Sequence, residues 1–235
     1  MVGAGATASL GIKTTSQLGK VLYTLVFDEA KKGFSDRVAA AFPGTDYEFQ
    51  KDFTGLLELI SGEFGSCSFT KGKRAKELQQ IYDWHTLELI AKRCPITDEN
   101  NLSLGSVYNL IDLHLQSGHG FRVNTEFIKP ERLQAARNTV NMVISFAHAI
   151  SYQQILKDKQ LEYRHYYEFA KILARKMRQE GLARRNYALN SRKFYIFSYA
   201  VISMNWDPLL LWLVFNAHKE LNDNYQVSIG NPALP

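Results

Sequence analysis

The sequence predicts an α/β protein in which a partial Rossmann-like parallel sheet is interrupted by a large all-helical insertion, so that the chain is predominantly helical overall. Met1-Val2 indicates the end of a strand that runs into a glycine turn at residues 3–7. The apolar, β-branched run 199–204 is typical of a strand buried in a parallel sheet. Between these segments, apolar residues recur at helical spacing.

The length and composition fit one domain. The chain has 235 residues, of which 46% are hydrophobic, which suffices for a large core. We expect a single, incomplete domain over residues 1–235, with its Rossmann-like part at 1–33 and 195–235. The helical insertion is expected at residues 34–194.

The glycine turn predicts a ligand class. Gly3 and Gly5 flank a small residue, Ala4, which lets the backbone approach a pyrophosphate closely, and a following helix N-terminus supplies N–H groups and a positive dipole end. We therefore expect a dinucleotide here, although an ordinary tight turn is the alternative and Thr7 would also serve as a helix N-cap.

Helical spacing predicts most of the other elements. A first helix follows the glycine turn, and Thr45 to Glu48 indicates a capping box for the next one. Further predictions are a helix through Leu78, Ile81, Tyr82, His85 and Leu89, a helix that ends at Gly118, a long helix from Pro130, a helix carrying Tyr166, Phe169, Ala170, Leu173 and Met177, and a helix from Pro208. Residues 225–229 favour another strand, and His85 and His114 are expected to be core residues.

A polar corner ends the late strand. Asn205-Trp206-Asp207 follows the apolar run and precedes Pro208. Ligands bind at the carboxyl ends of strands in open parallel sheets, so we expect this corner to face the glycine turn across one crevice. An amide and a carboxylate there could bind a ribose hydroxyl, a carboxamide or a water. Asp207 also fits a plain N-cap role, and Trp206 favours packing.

Charge, hydropathy and cysteine content exclude several classes of protein and of metal site. The net charge of +5 permits an anionic ligand without demanding nucleic acid. No apolar run reaches transmembrane length, and no secretory signal is recognisable. Cys67 and Cys94 cannot form a four-thiolate zinc site and do not suggest a disulfide framework, so we expect no metal and a cytoplasmic location.

The two motifs together resemble a known family. Gly3-Ala4-Gly5-Ala6-Thr7 followed by Gly11-Ile12 resembles the sirtuin-like opening motif, Gly-Ala-Gly-x-Ser/Thr followed by Gly-Ile-Pro. Met204-Asn205-Trp206-Asp207 resembles the family's Asn-x-Asp motif, which commonly reads Asn-aromatic-Asp in sirtuin-like anti-phage NAD hydrolases. The motif order and the long helical insertion are similar as well.

The resemblance implies NAD as the substrate and cleavage of its nicotinamide–ribose bond to give nicotinamide and ADP-ribose, in bacterial anti-phage defence. It implies that Asn205 holds the ribose and the attacking water and that Asp207 binds the nicotinamide carboxamide, as the catalytic pair. The implied cofactor-binding residues, which line the phosphates or belong to the same opening motif, are Gly3, Ala4, Gly5, Thr7 and Gly11.

The chain departs from the family pattern in ways that select a branch. Lys13 replaces the usual proline, Thr14-Thr15 stands where deacetylases carry Asp-Phe-Arg, and the paired-cysteine zinc ribbon is missing. These differences favour the NAD hydrolase branch over the zinc-containing deacetylases. The family's catalytic histidine follows the Asn-x-Asp motif at a strand end, whereas only His218, within a predicted helix, follows Asp207 here. We therefore expect this chain to stop before that histidine and to show little turnover alone.

Two other functions remain open at this point. One is a non-catalytic nucleotide-sensing or interaction module. Besides NAD, the partners that we consider are a second copy of the chain, in a homo-oligomer, and an additional C-terminal domain. The other is a helical nucleic-acid-binding protein, whose contact surface would be the basic run of Lys171, Arg175, Lys176, Arg178, Arg184 and Arg185. The absence of aromatic residues interleaved on that face favours a solvated surface and disfavours nucleic acid. No membrane partner is expected.

Overall fold

We describe the fold from a computed structural model, which describes residues 7–27, 33–62, 73–97, 100–123, 125–184 and 209–228. Most of these described residues are helical. Its strands form two short antiparallel pairs, and no parallel sheet is present among the residues just given. The predicted Rossmann-like parallel sheet is therefore wrong.

The strand prediction that can be checked fails for a physical reason. The last helix extends to Ser228 and so includes most of the run 225–229 that was predicted as a strand. Strand propensity is weak compared with the packing of the helix to which the run is joined. The predicted strands at residues 1–2 and 199–204 lie outside the described residues.

The chain divides into two compact units. One, which we call the middle unit, comprises Lys13–Ser151. The other, which we call the end unit, comprises Met1–Ile12 and Tyr152–Pro235. Of the predicted domain boundaries, the one at residues 194–195 lies outside the part of the chain that the structure describes.

The middle unit is a helical core with two small hairpins. Its elements are α1 (Thr15–Phe27), α2 (Phe34–Ala41), α3 (Tyr47–Ser61), α4 (Lys73–Ile81), α5 (Trp84–Ala91), β1 (Ile96–Thr97), β2 (Asn101–Leu102), α6 (Leu104–Ser117), β3 (Phe121–Val123), β4 (Glu126–Ile128) and most of α7 (Pro130–Asp158). Their apolar faces meet in one cluster, whose largest fully buried side chains include Phe42, Phe53, Leu57 and Ile111. The core confirms the helical spacing predicted for this region.

Several predicted helix ends are confirmed by their local geometry. Gly118 ends α6 with φ of 67°, in the left-handed region that glycine tolerates best, and Pro130 is the first residue of α7. The predicted capping box is shifted by one residue, because Asp46 rather than Thr45 caps α3 by accepting from the N–H of Glu48 at 2.8 Å.

One predicted helix is two helices. The spacing from Leu78 to Leu89 suggests a continuous helix, yet α4 ends at Ile81 and α5 starts at Trp84. Asp83 makes the break, because its carboxylate accepts from the N–H of Thr86 at 2.8 Å and so caps α5.

The end unit contains a 3-10 turn (Ala8–Leu10), the last residues of α7, α8 (Gln160–Arg184) and α9 (Leu209–Ser228). Helix α9 confirms the helix predicted after residue 208. In α8, Phe169 is exposed, whereas Ala170 and Ala174 are buried. None of the helices that the structure describes is long and apolar enough to cross a membrane.

Candidate functional site

The structure describes the opening motif from Thr7 onward. The N–H of Leu10 donates to the Thr7 carbonyl at 3.1 Å, and the N–H of Gly11 donates to the Ala8 carbonyl at 2.9 Å. Gly11 has φ of 93°, which places it in the left-handed region. Glycine is therefore favoured at position 11 because the residue that ends the 3-10 turn has a positive φ.

The motif does not lead straight into a long helix. The turn after Thr7 has only three helical residues, and α1 starts at Thr15, in the middle unit. The helix that the sequence predicts after residues 7–11 is α1. Thr7 occupies the N-cap position of the short turn and is buried, but its side chain makes no capping hydrogen bond there.

The residues that follow the two motifs pack together. Leu10 and Ile12, after the glycine turn, are almost fully buried. They belong to the apolar cluster of the end unit, which also contains Ile155, Ala170, Ala174, Leu209, Leu210, Leu213, Val214 and Ala217. Leu209 follows Asp207 by two residues. The segments downstream of both motifs therefore share one core.

The predicted site residues divide into two groups. Thr7 and Gly11 are placed by the structure, as given above. The remaining predicted residues, Gly3, Ala4, Gly5, Asn205 and Asp207, lie outside the described residues. Their assigned roles stay predictions.

A polar cluster that the sequence did not predict joins α8 to α9. The Tyr167 hydroxyl donates to Oε2 of Glu220 at 2.6 Å, and Nζ of Lys171 lies 3.2 Å from Oε1 of the same carboxylate. The Lys171 ammonium also lies 4.9 Å from the centre of the Tyr167 ring. Burial and the neighbouring Glu220 carboxylate raise the pKa of Tyr167 to about 12.

The same contacts bear on the basic run of α8. Lys171 is engaged by Glu220, and Nη1 of Arg178 donates to the Leu221 carbonyl at 3.2 Å. Both cations therefore stabilise the packing of α9. The Arg184 side chain and Arg185 fall outside the described part of the chain.

A second ionic cluster lies in the middle unit. Nε of Arg132 donates to Oδ2 of Asp83 at 2.8 Å, Nη1 of Arg132 pairs with Glu126, and Nε2 of His85 lies 3.1 Å from Oε2 of Glu126. His85 is exposed, so its predicted core position is wrong. Thr86 completes the cluster by donating its hydroxyl to Asp83 at 2.7 Å.

The remaining candidate groups have structural surroundings. His114 is half-buried and stacks on Phe121, with 4.4 Å between ring centres. Cys94 is buried, and burial raises the pKa of its thiol to about 11, which disfavours the reactive thiolate. Cys67 lies outside the described residues. Within the ranges that the structure covers, no group of three or more His, Cys, Asp or Glu side chains is arranged to hold a metal ion.

Comparisons of the chain with family models, with curated proteins and with solved structures each found no match.

Proposed function

We propose that the end unit binds NAD and that the protein acts in NAD consumption, with cleavage of the nicotinamide–ribose bond as the reaction and anti-phage defence as the setting. One observation carries the proposal: Leu10 and Ile12, just after the opening motif, share an apolar cluster with Leu209, just after the Asn-x-Asp motif. The two motifs lie some two hundred residues apart in sequence, yet the segments that follow them belong to the same apolar core. The proposal does not involve a parallel sheet.

The proposed reaction needs only a few side chains. Departure of nicotinamide leaves an oxocarbenium-like ribose, so the site must hold the leaving group and position a water. In the proposed site the Asp207 carboxylate accepts from the nicotinamide carboxamide, and the Asn205 amide orients the ribose and the water. Thr7 and the glycines before it approach the pyrophosphate.

The test separates binding from turnover. We would titrate NAD, ADP-ribose and nicotinamide into the chain by calorimetry, and measure nicotinamide release in the same samples. Asn205→Ala and Asp207→Asn are expected to weaken NAD binding at least tenfold, which corresponds to about 1.4 kcal/mol.

Asn216 offers a matched control for Asn205. Its amide nitrogen donates to the Trp212 carbonyl at 2.8 Å within α9, so Asn216→Ala removes an amide that is already used inside its own helix. This variant should bind NAD like the wild type. Equal affinity of wild type and Asn205→Ala, or no NAD binding by the wild type, would overturn the proposal.

A second candidate function is a non-catalytic interaction module. It is favoured by the apolar side chains that α9 exposes to solvent, because such faces commonly bind partners. A nucleic-acid-binding function gains no support from Lys171 and Arg178, whose side chains contact α9.

A further inference from the structure

A pair of hydroxyl groups joins the turn after the opening motif to α8. Oγ of Ser9 lies 3.2 Å from the hydroxyl oxygen of Tyr166. Ser9 is exposed, whereas Tyr166 is half-buried and packs against the same apolar cluster as Leu10, the next residue of the turn. One hydroxyl of the pair is thus open to solvent, and it lies two residues after Thr7.

Tyr166 lies on a different side of α8 from the residues that contact α9. Tyr167 and Lys171 bind the Glu220 carboxylate of α9. Consecutive residues of a helix are rotated by roughly 100° about its axis, so the side chains of Tyr166 and Tyr167 leave α8 in different directions. Removing the Tyr166 hydroxyl therefore leaves the bonds between Glu220 and α8 in place.

The net charge of the chain lies entirely in the end unit. The residues of that unit include 12 Lys and Arg against 7 Asp and Glu, whereas the middle unit has 16 of each, so the end unit carries the whole +5. A local excess of positive charge favours an anionic ligand. The hydroxyl pair therefore belongs to the unit that is electrostatically suited to a pyrophosphate.

We propose that Ser9 and Tyr166 bind the pyrophosphate of NAD, each by donating its hydroxyl proton to a phosphate oxygen. Each hydroxyl has one proton that it can rotate, and a hydrogen bond to an anionic oxygen is stronger than one between two neutral hydroxyls. The inference rests on the proposed function, since it takes NAD as the ligand of the end unit. It adds a residue of α8 to a site whose other proposed residues belong to the two motifs.

A purely structural tie between the turn and α8 is the alternative, and the two roles differ in how substitutions combine. Ser9→Ala and Tyr166→Phe each remove the one contact between the hydroxyls. A tie therefore predicts that the double variant behaves like either single variant. Two separate bonds to the pyrophosphate predict that the double variant binds the ligand more weakly than either single variant.

The experiment is calorimetric titration of the full chain with NAD and with ADP-ribose, both of which carry the pyrophosphate. Ser9→Ala and Tyr166→Phe should each raise the Kd of both ligands about tenfold, because each removes a hydrogen bond to a charged group. The double variant should raise both Kd values further. Asp207→Asn, by contrast, should weaken NAD binding more than ADP-ribose binding, since ADP-ribose has no nicotinamide.

Tyr163→Phe is the matched control for Tyr166→Phe. Tyr163 is also a tyrosine of α8 that is partly buried against the apolar cluster of the end unit. This variant should leave both Kd values unchanged. Ser9→Thr retains a hydroxyl and should bind both ligands nearly as the wild type does, and circular dichroism would verify that each variant is folded.

The outcomes separate this inference from the proposed function. If the wild type binds neither NAD nor ADP-ribose, both are wrong. If the wild type binds both ligands and Tyr166→Phe binds them equally well, or the double variant is no weaker than the single variants, only the role of the hydroxyl pair is wrong. An equal effect of Tyr163→Phe would also contradict it. If Tyr166→Phe does not fold, the comparison of Ser9→Ala with Ser9→Thr decides.

Discussion

Asp83 and Thr139 are joined across the middle unit by a hydrogen bond that fixes where α5 begins. The backbone N–H of Asp83 donates to Oγ1 of Thr139 at 2.9 Å, and the Thr139 hydroxyl donates to the Ala135 carbonyl at 2.9 Å. Thr139 is fully buried on α7. The Thr139 hydroxyl thus accepts from the Asp83 N–H. This N–H group precedes the first turn of α5 and has no hydrogen-bond partner within that helix.

Replacing Thr139 by valine should destabilise the protein by about 1–3 kcal/mol, because a methyl group of similar size leaves the Asp83 N–H buried without its acceptor. Urea unfolding followed by circular dichroism measures the effect. Thr139→Ser should retain most of the stability, since it keeps the hydroxyl.

Thr24→Val is the control for this experiment. Thr24 on α1 also donates to the carbonyl four residues earlier, Lys20, at 3.0 Å, but at a half-buried position. We expect a loss well below that of Thr139→Val. A loss of equal size would show that the contact with Asp83 contributes nothing measurable.

The carboxylate of Asp83 should make the stability of the protein depend on acid pH. Burial raises its pKa, but the hydrogen bonds from Arg132 and Thr86 outweigh burial and hold the pKa below its usual value. The unfolded chain therefore binds the proton more readily than the folded one. The stabilisation is fully present above about pH 4, the pKa of an unfolded aspartate, and is lost as pH falls through the folded pKa.

Asp83→Asn should accordingly be less stable than the wild type at neutral pH and lose less stability on acidification. Unfolding free energies measured from neutral to acid pH would show a shallower slope for this variant. Equal slopes for wild type and Asp83→Asn would contradict the assignment.

These residues also show what the sequence could and could not predict. Helix ends that depend on a single residue were predictable from the sequence. Gly118 ends a helix because glycine tolerates a left-handed backbone, and Pro130 begins one because its φ is fixed, and both are local properties. The break between α4 and α5 was not. Asp83 caps α5 while held by Arg132 and Thr139, which follow it by 49 and 56 residues, and apolar spacing carries no information about such distant partners.

The fold class failed for a related reason. A short apolar run such as 199–204 or 225–229 is compatible with a strand or with a buried helix, and periodicity alone does not separate them. For the second run the structure decides in favour of helix, as far as Ser228. Of the predicted site, Thr7 and Gly11 are placed, whereas the contact of Tyr167 with Glu220 joins residues 53 positions apart and had no local signal.

Gly19 should not tolerate a side chain. It lies in α1 where that helix approaches β2, and a Cβ there would collide with Oδ1 of Asn101 and with the Leu102 carbonyl. Because one of these atoms is backbone, we expect Gly19→Ala to destabilise the protein by about 1–3 kcal/mol through overpacking. That loss exceeds the roughly 0.5–1 kcal/mol which alanine gains over glycine in a helix.

Gly55→Ala separates the effect of overpacking from the effect of helix propensity. Gly55 lies in α3, and an added Cβ meets no atom within 4 Å. This variant should therefore gain roughly 0.5–1 kcal/mol from helix propensity alone. Thermal or urea unfolding of both variants should show changes of opposite sign. A stabilised Gly19→Ala would mean that α1 and β2 can separate without cost.

The contact between Tyr167 and Glu220 should contribute to the stability of the end unit. Tyr167→Phe removes the hydroxyl that donates to Glu220, and Glu220→Gln removes the charge that also attracts Lys171. Each change should cost about 0.5–1.5 kcal/mol, the usual net value of a hydrogen bond. Because Tyr167→Phe removes the donor and Glu220→Gln removes the charge of the acceptor in the same contact, the double variant should lose less than the sum of the two single losses.

Tyr163→Phe provides the reference for removing a tyrosine hydroxyl from α8. Tyr163 lies one turn before Tyr167 and stacks on it, with 6.2 Å between ring centres, so the two substitutions alter neighbouring rings of the same helix. Unfolding free energies of the wild type, of Tyr167→Phe, of Glu220→Gln and of the double variant complete the cycle. Strict additivity of Tyr167→Phe and Glu220→Gln would indicate that solvent screens the pair, as it does for many partly exposed charges, and that this contact does not help to hold α9 against α8.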